Sequence, residues 1–145
     1  MLILKPITDF HSVGAEFLSN FFGVDGTSVE HKYQAAKTIS DEWQEKILNA
    51  KSPGEAKRLG RLCPVRGDWD QIKLAKMEEF LKWKFSFPQL RKALLETGDR
   101  ELIEGNTWGD TFWGMVKQED DSWEGQNNLG KLLMKLREEF RKEDI

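Results

Sequence analysis

Six stretches of this chain carry the capping residues or the apolar period of an α-helix, and they take up so much of its length that no large sheet can form. The clearest start is Ser52-Pro53-Gly54-Glu55. It supplies an N-cap hydroxyl, a proline where its missing N–H costs nothing, and an acid at the third position, and it predicts a helix to about Arg61. Leu74, Met77, Leu81 and Phe85 step by three, four and four, which puts one apolar stripe on a helix over 70–85. Thr27 with Glu30 reads as a capping box opening a helix of about ten residues through Thr38. Asp41 with Gln44 opens another, to about Lys51. Residues 88–97 follow as a short helix, with Gly98 placed to end it in the left-handed conformation. Leu129, Leu132, Leu133, Leu136 and Phe140 mark a last helix, capped by Asn127 or Asn128.

The sheet signals are short. Leu2 to Leu4, Phe17-Leu18 and Phe21-Phe22 lie among Ser, Asn, Asp and Gly and read as short strands and turns. Residues 101–103 and 112–116 read as two short strands bracketing the loop 104–111, and 118–126 as an acidic, solvated segment. The expected fold class is therefore mainly α, a compact single domain over 1–145 with a few short β-strands.

Composition narrows the function classes. A chain of 145 residues suits one core, because a domain of about 150 residues buries roughly 68 to 70% of its unfolded surface without staples. One cysteine, Cys63, allows no internal disulfide, and one Cys with His11 and His31 cannot build a Cys/His zinc cluster. No metal or cofactor is expected, and activity is expected to survive chelator. With 22 basic and 25 acidic side chains the net charge is -3, without the global positive field that non-specific nucleic-acid or membrane binding needs. No run of 18 apolar residues occurs and the start lacks a charged region followed by an apolar one, so a soluble, cytoplasmic protein with no membrane partner is expected.

Four constellations have the residue types for chemistry. In Ser28-Val29-Glu30-His31-Lys32-Tyr33-Gln34-Ala35-Ala36-Lys37, helical spacing puts Val29, Tyr33 and Ala36 on one stripe and Glu30, Gln34 and Lys37 on the next. An acid, an amide and an amine thus line one edge. Seven residues at about 1.5 Å each separate the ends of that edge by roughly 10 Å, within reach of one small ligand. A capping glutamate and a solvated lysine account for the same spacing. In the block 104–114, EGNTWGDTFWG, Gly105, Gly109 and Gly114 permit sharp turns, Asn106 and Asp110 offer hydrogen bonds, and the tryptophans offer flat faces that suit a base. An Asx-rich turn over core tryptophans is the alternative. Trp108, Trp113 and Trp123 all lie outside any periodic helix, as pocket walls commonly do.

The head of the last helix, Gly125 to Lys131, is a potential phosphate site through unpaired N–H groups and the helix dipole. Lys51, Lys57, Arg58, Arg61 and Arg66, with Glu55 as the one acid among them, can hold one or two phosphates or simply form a solvated face. His31 and Cys63 read as packing or hydrogen-bonding residues.

Six blocks in register resemble the YbiA-like, or NADAR, domain family: FLSNFF at 17–22, SVEHKYQAAK at 28–37, SPGEAKRLGR at 52–61, VRGDWD at 65–70, EGNTWGDTFWG at 104–114 and GQNNLGKLLMKLR at 125–137. The resemblance implies a mostly helical domain that hydrolyses the N-glycosidic bond between a ribose and a nitrogenous base. Two substrate classes go with it: phosphoribosylamino-pyrimidine intermediates of riboflavin synthesis, and ADP-ribose attached to guanine in nucleic acid or nucleotide. By position it implies Glu30, Lys37 and Asp110 as catalytic residues. The substrate-binding set read from the same blocks is Asn20, Gln34, Arg61, Arg66, Trp69, Asn106, Trp113, Gly114, Asn128 and Gly130. Where the family commonly has an aromatic this chain has Lys32, which leaves Lys37 as the better catalytic lysine.

Those residue types fit the reaction. Breaking a ribose C1'–N bond builds positive charge at C1' and needs a proton on the ring oxygen or the leaving nitrogen, which a carboxyl with raised pKa can deliver. Asp110 is then an orienting or second acid, as in two-carboxylate glycosidases. If the sugar ring opens, a neutral Lys37 can attack C1 as an imine-forming nucleophile; direct hydrolysis remains the other route. A non-catalytic module that binds ADP-ribose or a nucleotide is the alternative function. It needs Trp113, Arg66 and Asn128 but not Glu30 and Lys37 together.

Overall fold

The computed structural model describes residues 4–144, so Leu2 and Ile3 of the expected N-terminal strand lie outside the described residues. The described chain is mainly helical, with six α-helices, a 3-10 turn over Glu16–Leu18 and one two-stranded sheet. No helix among the described residues is long and apolar enough to cross a membrane. The chain divides into two units, Asn20–Lys84 and a second made of residues up to 19 with those from 85 onward.

The Asn20–Lys84 unit holds α1 (Val29–Ala36), α2 (Asp41–Leu48), α3 (Pro53–Leu62) and α4 (Trp69–Lys84). Helix α1 packs against all three of the others. Its cap differs from the sequence expectation. Thr27 is committed to Val24, with which it exchanges two main-chain hydrogen bonds across a tight turn through Asp25 (φ 51°) and Gly26 (φ 78°). The cap therefore falls to Ser28, whose Oγ accepts the N–H of His31 at 3.1 Å. Glu30 is thereby released from a capping box. The start of α3 is as expected: Ser52 Oγ accepts from Glu55 N at 3.1 Å, with Pro53 in the first turn. The return bond reaches one residue further back, from Lys51 N to Glu55 Oε2 at 3.0 Å. On α4 the apolar stripe is Trp69, Met77 and Leu81, and it ends at Phe85; Leu74, expected on it, is 44% exposed.

In the other unit α5 (Pro88–Glu96) packs on α6 (Asn128–Glu143) and on the 3-10 turn. Gly98 ends α5 with φ 63°, as its position suggests. Arg137, buried in α6, donates to Thr97 Oγ1 and to the Arg100 carbonyl, both at 2.8 Å, fastening the two helices. The strands correct the expectation. Residues 101–103 contribute one isolated bridge, Leu102 to Ile7, and only the end of 112–116 is extended. The sheet pairs β1 (Val116–Lys117), which starts at the end of the expected strand 112–116, with β2 (Trp123–Glu124), antiparallel, and β2 lies inside the stretch expected to be merely acidic and solvated.

Asn127 precedes α6 in the left-handed conformation, φ 53°, and caps nothing with its side chain. Instead its Oδ1 accepts from Glu104 N at 3.0 Å and its Nδ2 donates to Leu102 O at 2.9 Å. Asn127→Ala removes both hydrogen bonds, one of them to the buried Leu102 carbonyl, and puts alanine in a conformation it disfavours. The expected loss is about 2 to 4 kcal/mol, read as a lower midpoint in urea unfolding. An unchanged midpoint would contradict this role.

Candidate active site

Helix α1 brings together Glu30, Gln34 and Lys37, and buries most of an edge that helical spacing alone leaves open to solvent. Glu30 and Gln34 are 7% and 4% exposed. The Glu30 N–H donates to the Asn20 carbonyl at 3.0 Å, and its Oε1 accepts from Gln34 Nε2 at 2.7 Å. Burial pushes the Glu30 carboxyl above the usual carboxylate range, against the opposing pull of the Gln34 hydrogen bond and of the Lys57, Lys37 and His31 charges. Lys37 stands at the C-cap of α1, half-buried. Loss of solvent pushes its ammonium below the usual lysine range; Cys63 and Glu30 oppose that shift, while Arg61 and Lys57 add to it. The acid thus tends to keep its proton and the amine to shed one. A proton donor and an amine nucleophile require those two states.

The cluster rests on fixed neighbours. His31 Nε2 lies 3.0 Å from the Ala50 carbonyl, which can only accept, so Nε2 is the donor there, and Nδ1 lies 2.7 Å from the Ser28 hydroxyl. This ties α1 to the α2–α3 connection. Cys63 donates to the Gly60 carbonyl at 3.4 Å. Arg66 N donates to Lys37 O at 2.7 Å, fixing the residue after α1, while the Arg66 side chain forks onto Asp68 at 2.6 and 3.2 Å. Trp69 is buried, its ring 5.1 Å from that of Tyr33, so it serves the interior as well as any ligand. Asn20 donates weakly to Met77 Sδ and keeps its buried Oδ1 unpaired. Lys32 Nζ sits 4.2 Å over the Trp83 ring, a packing role in keeping with its departure from the family pattern.

The basic stretch divides. Arg58 pairs with Glu55 and Arg66 with Asp68, whereas Lys57 and Arg61 bear electrostatically on Lys37, and Lys57 on Glu30 as well. Sequence reading placed Lys57 only among potential phosphate ligands. Its spacing of four from Arg61, alongside the buried small pair Ala56 and Gly60, carries the missed signal: both cations flank the stripe that packs inward.

In the second unit Asn106, Asp110, Trp113, Gly114, Asn128 and Gly130 come together as one hydrogen-bonded loop and helix start. Asn106 Oδ1 accepts from Asp110 N at 2.9 Å and its Nδ2 donates to Asp110 O at 2.8 Å. Asp110 Oδ1 accepts the N–H groups of Phe112 at 3.1 Å and Trp113 at 2.9 Å. Trp113 packs edge-on against Phe112, centroids 4.8 Å apart. A side chain at Gly114 would strike the Glu104 carbonyl and Asn106 Nδ2, and one at Gly130 the Leu102 carbonyl. Trp108 is exposed beside His11, and Trp123 belongs to β2 and packs on Gly105.

The phosphate reading of 125–131 is overturned by the same hydrogen bonds. The N–H groups of Gln126, Asn127, Asn128 and Leu129 donate to the carbonyls of Thr111, Gly114, Phe112 and Trp113, at 2.7 to 3.2 Å. The Asn128 side chain likewise donates to Phe112 O at 2.9 Å. The helix start is already filled by the loop.

The NADAR domain family model matches residues 8–141, running through both units. This chain belongs to the NADAR domain family. Among similar NADAR proteins, N-glycosidase YbiA of Escherichia coli strain K12 is 35% identical over 146 residues, covering 92% of this chain and 88% of that protein. The chloroplastic riboflavin biosynthesis protein PYRR of Zea mays is 41% identical over 126 residues, 78% of this chain but 19% of that much longer protein. An NMR structure of Escherichia coli YbiA superposes with a TM-score of 0.78 at 34% identity, over 99% of this chain and 89% of that one. The mainly helical NADAR fold expected from the sequence is the fold observed.

Proposed function

We propose that this chain is an N-glycosidase that releases ribose 5-phosphate from a phosphoribosylamino-pyrimidine, with Glu30 as acid/base and Lys37 as the attacking amine. The hydrolysis of an N-glycosyl bond rests on family membership and on relatives named N-glycosidase. Relatives named as riboflavin biosynthesis proteins support the pyrimidine substrate. The observation that carries the residue roles is the burial of Glu30 and Lys37 on one helix, each driven toward its uncharged form.

Glu30 gives its proton to the ring oxygen as the C1'–O bond opens, leaving an iminium between C1' and the exocyclic nitrogen of the base. The neutral Lys37 amine adds to C1'. A proton passes to the base nitrogen, the C1'–N bond to the base breaks, and the amino-pyrimidine departs, leaving C1' doubly bonded to Lys37 nitrogen. Water then adds to C1' and gives a proton back to the Glu30 carboxylate, and collapse of the carbinolamine frees the sugar aldehyde and returns Lys37 as the amine. Asp110, by holding the Phe112 and Trp113 amides, and Asn106, by holding the Asp110 main chain with both ends of its amide, are in this account positioning residues for the loop that carries Trp113 as a ligand contact. Asn20, Arg61 and Arg66 are the ligand contacts proposed for the Asn20–Lys84 unit, and Asn128 is one proposed for the other. The unbroken family match supports reading 1–145 as one domain, and the joint presence of Glu30 and Lys37 disfavours a non-catalytic reader, which needs neither.

Incubation with the phosphoribosylamino-pyrimidine and, separately, with an ADP-ribosylated guanine oligonucleotide tests the reading by mass spectrometry of products. Release of ribose 5-phosphate is expected. Release of ADP-ribose alone moves the protein to the other substrate class. Cleavage of neither, with ADP-ribose still raising the melting temperature, establishes the binding module instead.

A further inference from the structure

Helix α3 carries a glycine in its interior, Gly60, where alanine is ordinarily favoured. It is buried, and neither a turn nor a positive φ calls for it. The reason lies across the α1–α3 packing. A Cβ on Gly60 would land on the Gln34 amide, overlapping Oε1 and standing 2.7 Å from Cδ and 3.1 Å from Cβ of Gln34. All three nearest atoms belong to that one side chain, so the notch accommodates Gln34 and not a close approach of backbones. Gln34 Oε1 lies in the notch without a hydrogen-bond partner, one of two such buried side-chain atoms among the described residues. An unpaired buried acceptor is destabilising, so the fold holds the oxygen there at a cost. With the oxygen wedged against α3, the one hydrogen bond the amide makes among the described residues is Nε2 to Glu30 Oε1, at 2.7 Å.

From this geometry we infer that Gly60 and Gln34 are positioning residues for the reaction: the notch at Gly60 locks the Gln34 amide so that its N–H holds one Glu30 oxygen and leaves the other to face substrate. The inference rests on the acid/base role proposed for Glu30. Gln34, expected from sequence among the substrate-binding residues, thereby acts through Glu30 and not on the ligand.

The charged groups that bear on Glu30 are Lys37 and His31 from α1 and Lys57 from α3, and none of them is altered by a change at Gly60. The Gln34 N–H favours the ionised carboxylate. Its displacement moves the limb of the pH–rate profile that Glu30 governs to higher pH, whether Glu30 acts as acid or as base.

Four variants test this on the intact chain, by steady-state cleavage of the phosphoribosylamino-pyrimidine across pH and by thermal unfolding. Gly60→Ala is expected to lower kcat about 10²-fold with little change in KM, because a misaimed carboxyl is paid in the transition state. Gln34→Met, which keeps the length and loses the N–H, is expected to give the same direction of loss and the same upward movement of the pH limb. The double variant Gly60→Ala with Gln34→Ala clears the overlap, so stability returns toward wild type while activity stays low. Recovery of activity together with stability would overturn the inference, as would wild-type kcat and pH profile in Gln34→Met. Glu30→Gln separates the two levels. If it remains active, the proposed role of Glu30 fails; if it is inactive while Gly60→Ala and Gln34→Met behave as wild type, only the lock fails.

Discussion

Lys37→Ala is expected to reduce kcat/KM by on the order of 10³-fold or more, because it removes the nucleophile and with it the whole covalent route. The loss does not come from unfolding. Lys37 is half-buried and its charged form is disfavoured by that burial, so replacing it with alanine leaves the melting temperature unchanged or raises it. Lys37→Arg keeps a cation at the end of α1 and cannot form an imine, so it is expected to be as inactive as the alanine variant. In the wild type both limbs of the pH–rate profile are displaced, the Lys37 limb below the range of an exposed lysine and the Glu30 limb above the usual carboxylate range, because burial disfavours both charged forms. Steady-state assays of the two variants against the phosphoribosylamino-pyrimidine, with circular dichroism for folding, check this. Substantial turnover by folded Lys37→Ala would mean that water attacks C1' directly.

Glu30→Gln carries the second large effect, a fall in kcat of about 10²- to 10⁴-fold, the usual weight of a positioned proton donor. Its stability signature has the opposite sign. The folded-state pKa of Glu30 is raised above its unfolded value of about 4.5, so the folded state binds the proton more tightly. Its contribution to stability is therefore fully present below the unfolded pKa and is lost as pH rises through the folded one. Glutamine cannot ionise and escapes that loss. The variant is expected to be more stable than wild type at neutral pH, with the gap closing as pH falls to about 4, measured by urea unfolding at several pH values. A variant less stable than wild type at neutral pH would mean that the buried carboxylate is held by favourable contacts and not merely tolerated.

The helices were legible because their signals are local. Ser52-Pro53 at the start of α3, Gly98 after α5 and the leucine stripe of α6 each act over one or two turns, and the structure keeps all three. The errors arose where a distant partner claimed a residue. Thr27 lost the cap of α1 to Ser28 because its main chain pairs with Val24, and Asn127 leaves α6 uncapped because its side chain serves Leu102 and Glu104. Leu74 has the right spacing for the α4 stripe but lies at its edge, and β2 was hidden in an acidic run because only its pairing with β1 makes it a strand.

Within the site, the alignment of Glu30, Gln34 and Lys37 follows from helical spacing, and the six matching blocks point to the same residues. Their burial does not follow, since it depends on α3 closing over that face, and neither do the parts played by Lys57 and Gly60. The phosphate reading of 125–131 failed for a related reason. A helix start offers free N–H groups only until another segment takes them, and the 111–114 loop, far off in sequence, supplies four carbonyls to do so.

The measurement that bears most directly on Lys37 as a covalent nucleophile is reductive trapping. Wild-type protein is mixed with the phosphoribosylamino-pyrimidine in the presence of borohydride, and intact mass is followed by peptide mapping. The account predicts a protein that gains one reduced ribose 5-phosphate, carried on the peptide containing Lys37, with no such gain in Lys37→Ala. Turnover without any adduct, or an adduct placed on Lys57, would contradict it.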